Sequence, residues 1–327
     1  MSSAEVVRAI REARRITAFC HENPDADTLG AALAIRFAAE RLGKEAEVVS
    51  SDPPPPFLAF LPGVEEVRSA PQLEPDLAVV VDAGELRRIG RVALDAADWL
   101  ERARVVNIDH HVSNPGFGVA QLIDPAAAAT CELVTLLLPE LGVPLDERLA
   151  IVLMAGIVQD THTFAHPNAT PRTLRVAADL VEAGAPLAAI NRAIYADKPF
   201  STLALWGRML ARIEERCEGR IVHTAMTLQM LAETGAEANA AEGFIDLLGS
   251  SRSGDVTLLF KETEPQLTRV SVRTTERADA VAITSAFGGG GHARAAGCTV
   301  PLALDEAREV VLAESERELA RGDARGR

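Results

Sequence analysis

The sequence predicts an α/β protein in two parts. An N-terminal, doubly wound, mostly parallel sheet is followed by a smaller C-terminal α/β domain, with a helical connector between them. Three observations carry this expectation. Short apolar strands alternate with amphipathic helices over the first half, the pattern of parallel βαβ units. Those strands run into acids and imidazoles, and an open α/β sheet collects its ligands at the carboxyl ends of its strands. Beyond Gly219 the texture changes to strands, a short helix and a glycine run. The divisions expected are residues 1–185, a connector over 186–215, and 216–327.

Residues 4–14 read as an amphipathic helix. Ile16–Cys20 is a short buried strand ending at His21-Glu22-Asn23-Pro24-Asp25-Ala26-Asp27, where Pro24 and the aspartates impose a loop. Apolar periodicity then predicts a helix from Leu29 to Leu42, stopped by Gly43. Asp27, ahead of Thr28 and Leu29, suits its N-cap. Ala46–Ser50 is the second strand and meets the rigid segment Pro53–Pro56. Leu77–Val81, apolar throughout, ends on Asp82-Ala83-Gly84. A polar helical region around Leu94–Arg102 leads to the strand residues Val105–Ile108, which run into Asp109, His110 and His111. These three form strands poorly and gain nothing from burial unless paired or bound.

Leu133–Leu138 and Leu145–Ile157 are helical by periodicity. The second leads to a further polar cluster, Gln159-Asp160-Thr161-His162-Thr163-Phe164. An acid at a helix C-terminus opposes the dipole, so Asp160 wants another reason for its place. Thr170-Pro171 starts a helix to Ala183. From Ala185 to about Glu215 the pattern is helical, interrupted at Lys198-Pro199, with Tyr195 and Trp206 as packing residues. Strand Ile221–Met226, a helix near Ala241–Leu248, and strands Val256–Lys261 and Thr268–Thr274 around a Glu-Pro turn follow. A helix over Asp279–Phe287 runs into Gly288, Gly289, Gly290, Gly291 and His292. Taken alone, four glycines read as a flexible loop. They would also let backbone amides approach a phosphate or base without Cβ interference. The chain closes with a strand near Cys298–Val300, a helix over Leu304–Leu319 and a frayed polar tail.

Composition narrows the function. The net charge of −14 argues against a grip on long duplex or single-stranded nucleic acid, because phosphate contacts to a basic face supply most of that affinity. It does not oppose a small phosphorylated substrate held by cations and a few arginines. No run of about 18 apolar residues is present, so no membrane span is expected. The polar start MSSAEVVRAIREARR is unlike a signal peptide. Cys20, Cys131, Cys217 and Cys298 form no CxxC pair and suit free thiols in a reducing cytoplasm. A homodimer is compatible with the sequence, which does not fix the oligomeric state.

In the first domain His21, Asp25 and Asp27, then Asp82, then Asp109, His110 and His111, then Asp160 follow separate elements. Strand ends of a doubly wound sheet converge on one edge, so these residues are expected to meet in one crevice. Crowded carboxylates raise one another's pKa values, and divalent cations resolve that conflict. There are too many carboxylates for one tetrahedral zinc, whereas two ions sharing a bridging aspartate would use them all. Mixed oxygen and imidazole donors favour Mn²⁺, with Mg²⁺, Co²⁺ or Zn²⁺ as alternatives. In the second domain Arg273, at the end of RVSVRT, is a natural fork for a phosphate, and His292 can stack on a base or bond a phosphate.

The set HENPDADTLGA, VVVDAG, IDHH, GIVQDT and FGGGGHARAAG resembles the DHH phosphoesterase family with a DHHA1-type C-terminal domain. The resemblance runs roughly from Thr17 to Val300 and lies nearest the branch that acts as oligoribonuclease and phosphoadenosine phosphate phosphatase. It implies that His21 and Asp25 hold one metal, that Asp27, His110 and Asp160 hold the second, and that Asp82 bridges the two. His111 would face the scissile phosphate and help protonate the leaving side, while Asp109 orients the imidazoles. Arg273, Gly289, Gly290, Gly291 and His292 would grip the nucleotide beyond the cut, in a cleft between domains, with Arg294 a weaker candidate.

The activity so implied is two-metal hydrolysis of short single-stranded oligonucleotides to 5′-mononucleotides, and of 3′-phosphoadenosine 5′-phosphate to AMP. Alternatives are a phosphodiesterase for pApA or cyclic dinucleotides, and a nucleotide-binding sensor with vestigial chemistry. The glycine–histidine segment speaks against a pyrophosphatase, and the short chain and acidic surface against a long-chain exonuclease of the RecJ type. Two departures from the family pattern, His162 where Gly is usual and Ala31 where Ser is usual, leave every ligand in place. His162 and His166 are expected as surface residues without a role, and Arg87 and Arg88 as solvated charges.

Overall fold

The computed structural model describes residues 3–74, 76–100, 103–251 and 254–325. Contacts divide the chain at Asp197/Lys198, beside the predicted interruption Lys198-Pro199. The first unit opens with α1 (Ser3–Glu12), β1 (Arg15–Phe19), α2 (Ala26–Arg41), β2 (Glu45–Val49) and β3 (Leu77–Val81). The predicted helical region Leu94–Arg102 divides into α3 (Arg91–Asp95) and α4 (Ala97–Leu100), while Glu101 and Arg102 lie outside the described residues. Then come β4 (Arg104–Asp109), β5 (Ala120–Ile123), α5 (Thr130–Leu141), α6 (Glu147–Asp160), α7 (Pro171–Glu182) and α8 (Leu187–Asn191).

Five parallel strands form one sheet in the order β2-β1-β3-β4-β5. The chain moves outward from β1 in one direction to β2 and in the other to β3. The carboxyl ends of β1 and β3 therefore flank the point where winding reverses, and a crevice opens there. His21 and Asp82 follow those two strands. Strand β5 was not expected. Its four residues carry little apolar pattern, and it is brought alongside β4 by Gly116 and Gly118, both in the left-handed region with φ +83° and +87°.

Helix α2 is buried along almost its whole length, from Ala26 to Ala39, against α5 and α6 as well as the sheet. Two glycines permit this approach. A Cβ on Gly30 would lie 2.3 Å from the Val152 carbonyl oxygen, and one on Gly156 would lie 2.4 Å from Cys131 Sγ and 2.6 Å from Asp27 Oδ1. The close seam brings the end of α6, which carries Asp160, beside the start of α2.

The second unit comprises α9 (Phe200–Leu210), β6 (Glu214–Arg216), β7 (Ile221–Met226), α10 (Leu228–Thr234), α11 (Phe244–Leu248), β8 (Val256–Glu264), β9 (Leu267–Thr274), α12 (Ala280–Ser285), β10 (Gly290–His292), β11 (Ala295–Val300) and α13 (Leu304–Arg325). Its six strands run in the order β10-β11-β9-β8-β7-β6, antiparallel except for the β7–β8 pair. Helices α12 and α13 cover one face and α9, α10 and α11 the other. Trp206 packs as expected, edge-on to Phe244 with its Nε1–H donated to Ala240 O.

Three local expectations are corrected. The glycine run is not a loose loop, because Gly290 and Gly291 enter β10 and pair with β11. The short helix α10 was missed; Thr227 caps it by accepting from the Met230 amide. The tail does not fray after Leu319, since Arg220 holds Asp323 through two bonds of 2.8 and 2.9 Å and α13 continues to Arg325.

Replacing Gly30 by Ala should overpack the α2–α6 seam and destabilise the protein by about 1–3 kcal/mol. Urea unfolding followed by circular dichroism would show this as a lower midpoint, and an unchanged midpoint would mean the helices can separate without cost.

Candidate metal centre

The loop after β1 positions His21. Its amide donates to Thr28 Oγ1 (3.2 Å) and its Nδ1 contacts Glu22 O at 2.8 Å. A hydrogen on Nδ1 leaves Nε2 facing Asp82 Oδ2 at 3.3 Å and Asp25 Oδ1 at 3.7 Å. Asp25, not Asp27, caps α2: its extended backbone follows Pro24, and Oδ1 accepts from the amides of Asp27 and Thr28, both at 3.0 Å. The helix thus starts earlier than the apolar pattern indicated and takes Asp27 into its first turn. There Asp27 is fully buried, and its two oxygens accept from the amides of Thr130 (2.6 Å) and Cys131 (2.8 Å).

Asp82, the first residue after β3, is left-handed at φ +56° and buried. Its amide donates to Ile108 O and its Oδ1 accepts from Thr130 Oγ1 at 3.0 Å. His110 sets Nδ1 near Ala127 O and turns Nε2 to Asp160 Oδ2 at 3.2 Å, Asp82 Oδ1 at 3.5 Å and Asp27 Oδ2 at 3.9 Å. Three groups result, Asp82 with His110 and His111, His21 with Asp25 and Asp82, and Asp27 with His110 and Asp160. Within each the donor atoms lie within 4.8 Å of one another. The structure therefore brings together His21, Asp25, Asp27, Asp82, His110 and Asp160 from four chain segments, with Asp82 common to two of the groups.

Asp109 stands behind this cluster. Wholly buried, it accepts from the His110 amide (2.8 Å) and contacts His111 Nδ1 (2.7 Å) through Oδ1, while Oδ2 accepts from Asn114 Nδ2 (2.6 Å). Asn114 also donates to Asn107 Oδ1, and Asn107 donates to Val80 O and Ala83 O. Asn107, Asn114 and Thr130 were missed as site residues. A buried amide inside the apolar strand Val-Val-Asn-Ile was a legible signal; Thr130 offered none.

The electrostatics are those of an overcrowded anionic pocket. Burial, with the charges of Asp160 and Asp82, raises Asp27 well above the usual carboxylate range. Burial also lifts Asp160, to about 6, against its bond to His110. Burial opposes the charged forms of the imidazoles, yet the surrounding aspartates outweigh it and push His21 up to about 11 and His110 up to about 12. Asp82 is held far below the carboxylate range by those same imidazoles, despite its burial. Without metal, the site balances its charge with protons. Oxygen and imidazole donors spaced at 3.2–3.9 Å fit divalent cations, which would displace those protons.

In the second unit, Arg273, Ala295 and His292 pair in one row across β9, β11 and β10. Arg273 Nε contacts Asp246 Oδ1 at 3.1 Å. Gly289 and Gly291 have a structural reason to lack side chains, since a Cβ would fall 2.3 Å from Gly297 O and 2.6 Å from Ala295 O respectively. Gly290 faces open space, and the side chain of His292 lies outside the described residues. Arg294 donates to Ala278 O. Arg87 and Arg88 form exposed pairs with Glu85 and Glu22.

The model of the DHH family, N-terminal domain, matches residues 15–157, and that of the DHHA1 domain matches residues 220–319. The chain is similar to the bifunctional oligoribonuclease and PAP phosphatase NrnA of Thermus thermophilus, 35% identical over 97% of this chain and 94% of that protein. It is 25% identical to the Bacillus subtilis protein of the same name over 94% and 96% of the two chains. An exopolyphosphatase-related protein from Bacteroides fragilis shares the fold, with a TM-score of 0.90, 21% identity and coverage of 98% and 97%.

The Asp109 contact raises the pKa of His111. Replacing Asp109 by Asn removes a carboxylate that favours the imidazolium, so His111 should titrate at lower pH. An NMR titration of the metal-free protein checks this, and an unmoved His111 would exclude Asp109 as its partner.

Proposed function

We infer the function from one premise: the chain belongs to the DHH family and carries a DHHA1 domain. It acts as a metal-dependent phosphohydrolase that cleaves short oligonucleotides to 5′-mononucleotides and dephosphorylates 3′-phosphoadenosine 5′-phosphate to AMP. The observation that carries this reading is the convergence of three donor groups on the shared residues Asp82 and His110. Near full-length likeness to an oligoribonuclease and PAP phosphatase supports the substrate class.

His21 and Asp25 would hold one divalent cation, Asp27, His110 and Asp160 a second, with Asp82 serving both. Bound there, the ions acidify water and neutralise charge on the phosphoryl oxygens. The mixed donors favour Mn²⁺. Thr130 and the Thr130 and Cys131 amides fix the carboxylates that would otherwise repel one another apart. Asp109 holds His111 by Nδ1 and favours its protonated form, so Nε2 can pass a proton to the leaving oxygen. Arg273 and the β10 backbone with His292 bind the nucleotide. The net charge of −14 disfavours long nucleic acid, and the four free cysteines suit a reducing cytoplasm. Among the described residues no helix is long and apolar enough to cross a membrane.

With Mn²⁺, the protein should hydrolyse a dinucleotide and phosphoadenosine phosphate but not pyrophosphate, and a chelator should stop it. Binding of dinucleotide without turnover would instead establish a sensor. Asp82→Ala should abolish turnover because both ions lose a ligand; substantial residual kcat would contradict the shared carboxylate. Arg273→Ala should raise KM roughly tenfold or more, as for a lost charge-assisted bond, and an unchanged KM would remove Arg273 from substrate binding.

A further inference from the structure

Immediately beyond Asp160 the chain does something costly. His162, Thr163 and Phe164 are all left-handed, at φ +47°, +55° and +63°, and none is glycine. Such conformations persist only where the surroundings impose them, and they gather at ligand sites. Here the Phe164 amide donates to Thr161 Oγ1, Thr163 Oγ1 to Asn191 Oδ1, and the Thr163 amide to Val158 O.

The turn assembles a column of three rings. At its base, half-buried Tyr195 donates its hydroxyl to the carbonyls of Val158 (3.2 Å) and Gln159 (3.0 Å) at the end of α6. The His162 ring meets Tyr195 at a tilt of 58° with centroids 4.6 Å apart, and His166 stacks on His162 at 5.3 Å with the two planes 15° apart. Both imidazoles are exposed, so burial of apolar surface does not account for them.

The column is stitched to the candidate metal centre. The His166 amide donates to Thr161 O at 2.9 Å, and Asn168 donates to Asp160 O (3.2 Å) and Ala128 O (3.0 Å). Ala127 O, the preceding carbonyl, is the one that contacts His110 Nδ1. The rings are thus attached on one side to Asp160 and on the other to the loop that backs His110.

We propose that His162 and His166, seated on Tyr195, form a stacking platform for a nucleobase of the substrate, beside the phosphate that is cut. Flat π-faces stack on any base and add affinity without reading its hydrogen-bonding edge. The platform would tie the enzyme to nucleotides over other phosphoesters while tolerating base identity. It rests on the phosphohydrolase reading above and assigns its substrate selectivity to these rings.

The test compares kcat/KM for the dinucleotide pApA with that for the diester of the same sugar–phosphate backbone lacking both bases, an abasic dinucleotide with no aromatic ring, using the full chain in Mn²⁺. In His162→Ala and His166→Ala the ratio of the two should fall about tenfold or more, mainly through KM for pApA. His162→Phe and His166→Phe should restore it. An unmoved ratio overturns the platform, since a merely structural loss would lower both activities together. Restoration by Gln but not Phe also overturns it, because hydrogen bonding rather than stacking would then be at work. If the unmodified protein cleaves the diester but not pApA, the nucleotide-hydrolase reading itself falls, and the platform with it.

Discussion

Mutual repulsion among four carboxylates is the constraint on which the rest of this structure turns. Asp25, Asp27, Asp82 and Asp160 crowd around His21 and His110 in a pocket where burial penalises every uncompensated charge. No single element of the fold could hold such a set. Three of the acids are fixed from behind, Asp25 by two amides of α2, Asp27 by two amides at the start of α5, and Asp82 by the Thr130 hydroxyl. Helix N-termini suit this duty, because their unsatisfied N–H groups and positive dipole ends offset negative charge without consuming the oxygen lone pairs that face the pocket.

The packing of the first unit serves that arrangement. The sheet order sends the ends of β1 and β3 to the point where winding reverses. Gly30 and Gly156 let α6 close on α2, and that approach carries Asp160 to within reach of His110. The amide network Asn107–Asn114–Asp109 lies beneath both histidines and fixes the ring orientation of His111. Stability and chemistry are therefore coupled here: the buried polar groups are satisfied by one another in the same geometry that presents donors to a cation.

The second unit follows a different logic. Its glycine-rich segment reads in sequence as a supple loop, but in the folded chain Gly289 and Gly291 are small because β10 folds tightly back on β11. Gly288 and Gly290 have open space around them. The feature that looked like flexibility is close packing at Gly289 and Gly291, and the open backbone at Gly290 lies in the row of Gly297 and Ser271, two residues along from that of Arg273 and His292.

The order of strands and helices in the first half was legible because alternating apolar runs report burial directly. So was the candidate ligand set, because acids and imidazoles at strand ends violate the ordinary rule for buried residues. The cap of α2 was misassigned to Asp27, since periodicity marks where a helix becomes apolar and not where its hydrogen bonds begin. Strand β5 and helix α10 escaped because four and seven residues carry too little pattern to register. Thr130, Asn114 and the ring column over Tyr195 could not be read at all. Their meaning lies in partners from four to 48 residues away, and the distances that create those partners exist only after the chain has closed. The amino-acid order by itself decided which chemistry is carried; the tertiary structure decided which groups share a proton, a carboxylate or a stacking face, because those are properties of distance.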